Sequence, residues 1–247
     1  MMVREIGAKA ILSTSKVYDY VVNPYTGCEH ACTYCYARFM KRFTGHAEPW
    51  GAFVDVKTNA PELLEKELCR KREGTVWVSG VCDPYQPLEA RYALTRRCLE
   101  ILARSAWPVF VQTRSPLVLR DLDIFRDAGR FEVGMSVTTA DDTVRSLFEP
   151  HAPTIADRLA ALDALHRSGV RTYAMIAPML PGAQNLAEPL AGKADYVIID
   201  RMNYRHADWV FRKYRLPDTR TDEFVHRAGR ELASAFRKLG IACSIVC

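Results

Sequence analysis

Short runs rich in Val, Ile and aromatic residues alternate with longer amphipathic stretches along nearly all of the 247 residues, and this alternation constrains the fold more than any other feature. Such a pattern predicts strand-helix units around a parallel sheet. Strands are expected at residues 18–22, 75–81, 109–112, 132–137, 171–176 and 196–200, where β-branched and aromatic side chains suit a pleated surface. Helices are expected at 60–70, 92–104, 118–126, 155–168 and 221–239. Gly129, Gly169 and Gly240 stand just past three of them, where the chain often turns left-handed. Six such units suit a partial or complete parallel barrel better than an open doubly wound sheet, although periodicity alone leaves both open. Residues 203–221, rich in Arg, Tyr and Trp, are the least regular part and read as a surface excursion or C-terminal extension (203–247) near the site.

A chain of this length, about half hydrophobic, can bury one sizeable core, so one domain over residues 1–247 is expected. No run approaches the roughly 18 apolar residues that would span a bilayer, and the first ten residues lack the apolar core of a signal peptide. A soluble, cytoplasmic protein without a membrane partner is expected. The formal charge of +5 permits a polyanionic partner without demanding one.

Eight cysteines are too sparse for a secreted disulfide scaffold, and their tight cluster near the N-terminus points to metal or redox chemistry in a reducing compartment. Cys28-Glu-His-Ala-Cys32-Thr-Tyr-Cys35 directly follows the first expected strand, at the strand end where parallel α/β folds place their sites. Three close thiolates can ligate three irons of a cubane and leave the fourth iron open, whereas a closed zinc site wants a fourth protein ligand. His30 is the candidate fourth donor, but tetrahedral ligation from inside the Cys28 to Cys32 segment is awkward.

The CxxxCxxC spacing, with an aromatic before the third cysteine, resembles the signature of the radical S-adenosylmethionine (SAM) superfamily. A closer resemblance, to its spore photoproduct lyase-like branch, rests on Asn23-Pro-Tyr-Thr-Gly-Cys28, Cys35-Tyr-Ala-Arg38, Val78-Ser-Gly-Val-Cys-Asp83-Pro-Tyr-Gln-Pro-Leu-Glu89, Thr113-Arg-Ser-Pro-Leu-Val-Leu-Arg-Asp121, Phe148-Glu-Pro-His-Ala-Pro153 and Ala177-Pro-Met-Leu-Pro-Gly182. The resemblance implies a (β/α)6-type partial TIM barrel whose cluster loop, residues 23–38, holds a [4Fe-4S] cluster on Cys28, Cys32 and Cys35. It also implies that the open iron chelates SAM, and that an external reductant of flavodoxin or ferredoxin type drives its cleavage to a 5'-deoxyadenosyl radical.

By the same resemblance, Ser79 and Gly80 lie in the region that contacts the SAM amino group, with an ordinary strand-ending turn as the other reading, and Arg114 pairs with the SAM carboxylate where many relatives carry Lys. Ser136, at the end of the strand expected at 132–137, is the candidate to bond the ribose or carboxylate, or else a satisfied strand serine. Asp83 is placed to reach the site or to cap a turn. Tyr34 and Tyr36, two apart, share a face if extended and line the adenine pocket or pack inward, with Tyr36 also a candidate at the reaction centre. Cys82 is the candidate hydrogen donor, but it adjoins Asp83, whereas the lyase pattern places its cysteine earlier, before Thr-Ser-Asp. A plain buried thiol is the competing reading. The lyase also carries an extra region before its cluster, while 27 residues precede Cys28 here.

Glu149 and Arg158 read first as a structural ion pair. Cys243 and Cys247 read first as ending a buried strand, with a second metal site or a redox pair as the other readings, and Cys69 and Cys98 read as core cysteines on helices. The basic, aromatic segment 201–215 suits phosphate contacts and base stacking, or equally a solvated loop, so a nucleic-acid substrate is among the expectations, beside a metabolite or peptide. A different class, a non-catalytic iron-sulfur or zinc protein that binds nucleic acid or transfers electrons, would cap the fourth iron with a protein ligand.

Overall fold

The computed structural model describes residues 1–217 and 219–246. Its strands are β1 (Met2–Ile6), β2 (Leu12–Thr14), β3 (Tyr20–Val22), β4 (Tyr25–Thr26), β5 (Phe53–Lys57), β6 (Val76–Val78), β7 (Val109–Thr113), β8 (Phe131–Ser136), β9 (Arg171–Ile176), β10 (Tyr196–Ile199) and β11 (Ala242–Ile245). The main sheet runs β2-β3-β6-β7-β8-β9-β10-β11, parallel throughout except for the antiparallel edge pair β2 and β3. It is a partial parallel barrel with edges at β2 and β11. The six expected strands are its centre. A smaller sheet, β1-β5-β4, stands beside it.

Side chains alternate across the barrel strands. Val76, Val78, Val109, Val111, Val133 and Met135 turn outward and pack with helix residues such as Leu64, Leu99, Leu102 and Leu162. The opposite, concave face carries Tyr18 against Phe110 at 4.8 Å and Tyr173 stacked on Tyr196 at 5.3 Å. The paired strands put Gly134 beside Tyr173, and a Cβ on Gly134 would lie 2.1 Å from that ring. Glycine is therefore what lets Tyr173 enter the barrel and fill its floor.

Helix starts follow their caps: Asp141, Thr154 and Thr221 accept backbone N–H bonds at the heads of Asp142–Phe148, Ile155–Arg167 and Asp222–Lys238. The helix expected at 92–104 is divided, because Ala93 turns left-handed between Glu89–Tyr92 and Leu94–Ala103. The expected surface excursion contains a helix, Asp208–Tyr214, whose Val210 and Phe211 pack with Cys32 and Tyr34. Cys243 lies on β11, an exposed edge strand instead of the buried one expected, and Cys247 lies outside the described residues. Cys98 is core as expected. Cys69, however, sits past the end of its helix and is exposed, since the helix stops at Leu68. No helix among the described residues is long and apolar enough to cross a membrane.

Candidate active site

The cysteine loop leaves β3 at the C-terminal mouth of the barrel, and the small sheet dictates its path. Tyr25 and Thr26 pair with Val56 and Asp55, and Lys57 N donates to the Pro24 carbonyl at 3.0 Å. Gly27 then turns with φ +95°, where a Cβ would come within 2.3 Å of the Phe53 carbonyl oxygen. On the other side, Gln86 accepts from Glu29 N at 3.0 Å and donates to the Gly27 carbonyl at 3.3 Å, while Thr33 N reaches the Phe148 carbonyl at 2.8 Å. A loop tethered on both flanks presents its side chains in a fixed array.

Cys28 and Cys32 are buried and Cys35 is half-buried. Burial pushes all three thiols up, Cys32 to about 12 although Arg114 pulls against it, and Cys28 is raised further by the proximity of Cys32 and Cys35. Among the described residues, no three His, Cys, Asp or Glu side chains converge on one metal ion. A cubane asks for a wider array, because each thiolate binds a different iron. His30 is paired instead with Asp83, its Nε2 3.2 Å from Asp83 Oδ2 in a nearly inaccessible pair. The donor set thus fits a cluster with three protein ligands better than a four-donor zinc site, and loading such a cluster would release the thiol protons.

Behind the thiols stands Glu149, fully buried. It accepts bonds from Tyr34 Oη, from Arg158 Nη2, from Thr138 Oγ1 at 3.1 Å and from Arg114 Nε at 3.3 Å. Burial alone would raise this carboxyl, but Arg158 and Arg114 outweigh it and hold the group at about 2. The Glu149–Arg158 pair expected from the sequence is present, with both side chains inaccessible. Arg114 Nη2 also donates to Tyr34 Oη at 3.0 Å, and its side chain keeps 18% exposure. It is a cation fixed at the rim of the thiol pocket.

Asp83 is a strut. Its oxygens accept from Thr113 Oγ1 at 2.5 Å, Arg114 N at 2.8 Å and Tyr85 N at 2.9 Å. Burial raises this carboxyl, but His30, Thr113 and Arg114 bring it down to about 2. Ser79 Oγ, Gly80 N and Val81 N all bond to Asn23 Oδ1, at 2.6, 2.8 and 2.9 Å, so one side-chain oxygen shapes the turn after β6. Cys82 Sγ lies 3.0 Å from Ser79 Oγ. Ser136, fully buried at the end of β8, accepts from Gln112 Nε2 at 3.2 Å.

Tyr34 and Tyr36 do not share a face. Tyr34 points inward to Glu149, whereas the 3-10 helix Tyr36–Phe43 begins at Tyr36 and turns its side chain outward, with its hydroxyl on the Gly80 carbonyl. There the ring stacks on Tyr204 at 6.4 Å, and Tyr204 stacks on His206 at 5.6 Å. Sequence reading did not single out the clamp made by Asn23, nor Lys57, whose buried ammonium donates to the Asn23 carbonyl at 2.8 Å. Asp200, at the C-terminal end of β10 with its carboxyl raised by burial, was counted only as a strand end. Its placement on a barrel strand was the available signal.

A family model, Radical SAM superfamily, matches residues 22–185. An uncharacterized protein of Methanocaldococcus jannaschii is 36% identical over 179 residues, 72% of this chain and 67% of that protein. The chain spans about half the length, 53%, of mycobacterial relatives that it matches at 34% identity. A radical SAM Nalpha-GlyT isomerase of Pseudomonas phage M6 is 24% identical over 164 residues, 66% of this chain and 33% of that protein. Among solved structures, spore photoproduct lyase complexed with dinucleoside spore photoproduct superposes with a TM-score of 0.71, covering 99% of this chain and 82% of that one at 16% identity. That last likeness is one of fold.

Proposed function

The chain belongs to the radical SAM superfamily, and from that premise we propose that Cys28, Cys32 and Cys35 hold a [4Fe-4S] cluster, that SAM is cleaved reductively beside it, and that hydrogen is then abstracted from a nucleic-acid base. The observation that carries this reading is the tethered array of three thiols at the C-terminal mouth of the barrel, with Arg114 fixed at its rim. When bound, the cluster supplies the electron that splits SAM into methionine and a 5'-deoxyadenosyl radical, and an external donor of flavodoxin or ferredoxin type replaces that electron.

The chain's own residues bind and orient. Arg114 offers its guanidinium to the SAM carboxylate, and Ser79 and Gly80, clamped by Asn23, bring backbone and hydroxyl to the amino group. Ser136 and Gln112 line the concave face below, and Tyr34 closes the pocket from inside. Asp83 braces His30 and Arg114. Cys82, which burial raises to about 11, keeps its S–H at neutral pH, the protonation state that a hydrogen donor requires.

Support for a base as substrate comes from the rim. Tyr36, Tyr204 and His206 form an exposed stacked series beside Gly80, and the segment that carries Tyr204 and His206 also holds Arg201, Arg205, Arg212, Lys213 and Arg215. Aromatic faces interleaved with cations are how single-stranded or extruded bases are held. The test is transfer of deuterium from base-deuterated oligonucleotides into 5'-deoxyadenosine, in anaerobic turnover with dithionite. Transfer from DNA or RNA supports the reading. Production of unlabelled 5'-deoxyadenosine, unaffected by any oligonucleotide, removes the nucleic-acid part of it.

A further inference from the structure

Trp50 precedes a tight glycine turn that packs on the cysteine loop. Its indole nitrogen is buried and has no hydrogen-bonding partner. Indole is a donor only, and burying it unpaired costs about 1–3 kcal/mol, so its position calls for an acceptor. The ring is fixed edge-on against Phe53 at 5.8 Å. The next residue, Gly51, turns with φ +94° so tightly on Ala31 that a Cβ would lie 2.5 Å from the Ala31 Cβ. Ala31 stands between Cys28 and Cys32, so this turn is packed on the cysteine loop itself. The acceptor nearest to hand is the Cys35 thiol: burial raises it, and the Ala37 backbone N–H and the Trp50 side chain both act to lower it.

The three thiols are therefore unequally served. Cys28 receives a backbone N–H from Asp83, and Cys32 feels the charges of Arg114, Glu149 and Arg158. Cys35 is the one of the three with a neutral side-chain donor. Adding an electron to a thiolate-ligated cluster increases the negative charge on its sulfurs, and an N–H directed at one of them favours the reduced state.

We propose that the Trp50 indole N–H donates to the Cys35 sulfur and thereby raises the reduction potential of the cluster, easing the one-electron step from the external donor. The inference rests on the assignment of Cys28, Cys32 and Cys35 as cluster ligands. No bond breaks in this step: one electron enters, and the N–H stabilises the added charge.

Trp50→Phe keeps an aromatic ring on Phe53 and deletes the donor. The test is an EPR-monitored redox titration of the anaerobically reconstituted full chain, with iron and sulfide measured on the same samples. A more negative midpoint in Trp50→Phe, at unchanged iron and sulfide, is the expected result, and an unchanged midpoint overturns the inference while leaving the cluster assignment intact. Should the variant fail to load, wild-type protein carrying ¹⁵N-indole tryptophan gives the reading by pulsed EPR of the dithionite-reduced cluster. A ¹⁵N coupling is expected, and its absence overturns the inference. Wild-type protein that takes up no iron overturns the cluster assignment and the inference together.

Discussion

Replacing Glu149 by Gln removes a negative charge from a position where Arg158 is wholly inaccessible and Arg114 is largely buried at the rim. Deleting one partner of a buried pair leaves the other charge uncompensated, which costs about 3–5 kcal/mol. The depressed carboxyl leads to a similar figure. A Glu held at about 2 in the folded chain, against an ordinary value near ~4.3 when unfolded, contributes on the order of 3 kcal/mol at neutral pH. For a chain of this size each kcal/mol moves the melting temperature by about 2–4 °C, so the variant should melt roughly 6–20 °C lower. The sign of the pH dependence follows from the lowered folded value: the contribution is fully present above the unfolded value and is lost as pH falls through it towards 2. Thermal unfolding followed by circular dichroism from pH 7 down to 2.5 should show the wild type losing this stability below about pH 5, with that portion of the loss missing from Glu149→Gln. Adding Arg158→Met should cost much less than the sum of the two single changes. A loss below about 1 kcal/mol for Glu149→Gln at pH 7 would refute the claim that this carboxylate is the electrostatic centre of the site.

Gly134→Ala should cost at least about 1–3 kcal/mol in denaturant unfolding, because its Cβ would overlap the Tyr173 ring that fills the barrel floor. Gly27→Ala combines an unfavourable φ with contact on the Phe53 carbonyl, so anaerobic reconstitution should leave most of the iron unbound while far-UV circular dichroism stays close to wild type. Asn23→Ala frees the three donors that shape the turn at Ser79 to Val81, and SAM affinity by equilibrium dialysis should fall about tenfold, roughly 1.4 kcal/mol.

The barrel was legible because Val, Ile and aromatic residues recur in its central strands between amphipathic stretches, and 171–176 emerges at its expected bounds. What escaped were elements without a local signature. β11 is four residues, Ala-Cys-Ser-Ile, mostly exposed, and it becomes a strand through pairing with β10. β4 has two residues and exists through β5. Tyr34 and Tyr36 would share a face only in an extended segment, and the 3-10 helix that begins at Tyr36 separates them, a start that short-range periodicity does not encode. The thiol loop was readable from spacing. Its tethering was not, since the bonds from Lys57 to Asn23 and from Gln86 to Gly27 join residues far apart in sequence.

The central claim is that three thiolates hold a cluster whose remaining iron is open to SAM. EPR of the reconstituted, dithionite-reduced protein with and without SAM tests it most directly, with a variant replacing Cys28, Cys32 and Cys35 by Ala as control. A [4Fe-4S] signal that SAM reshapes and that the variant lacks is the expected result. A cluster signal indifferent to saturating SAM, or a chain that retains zinc and takes up no iron, would contradict it.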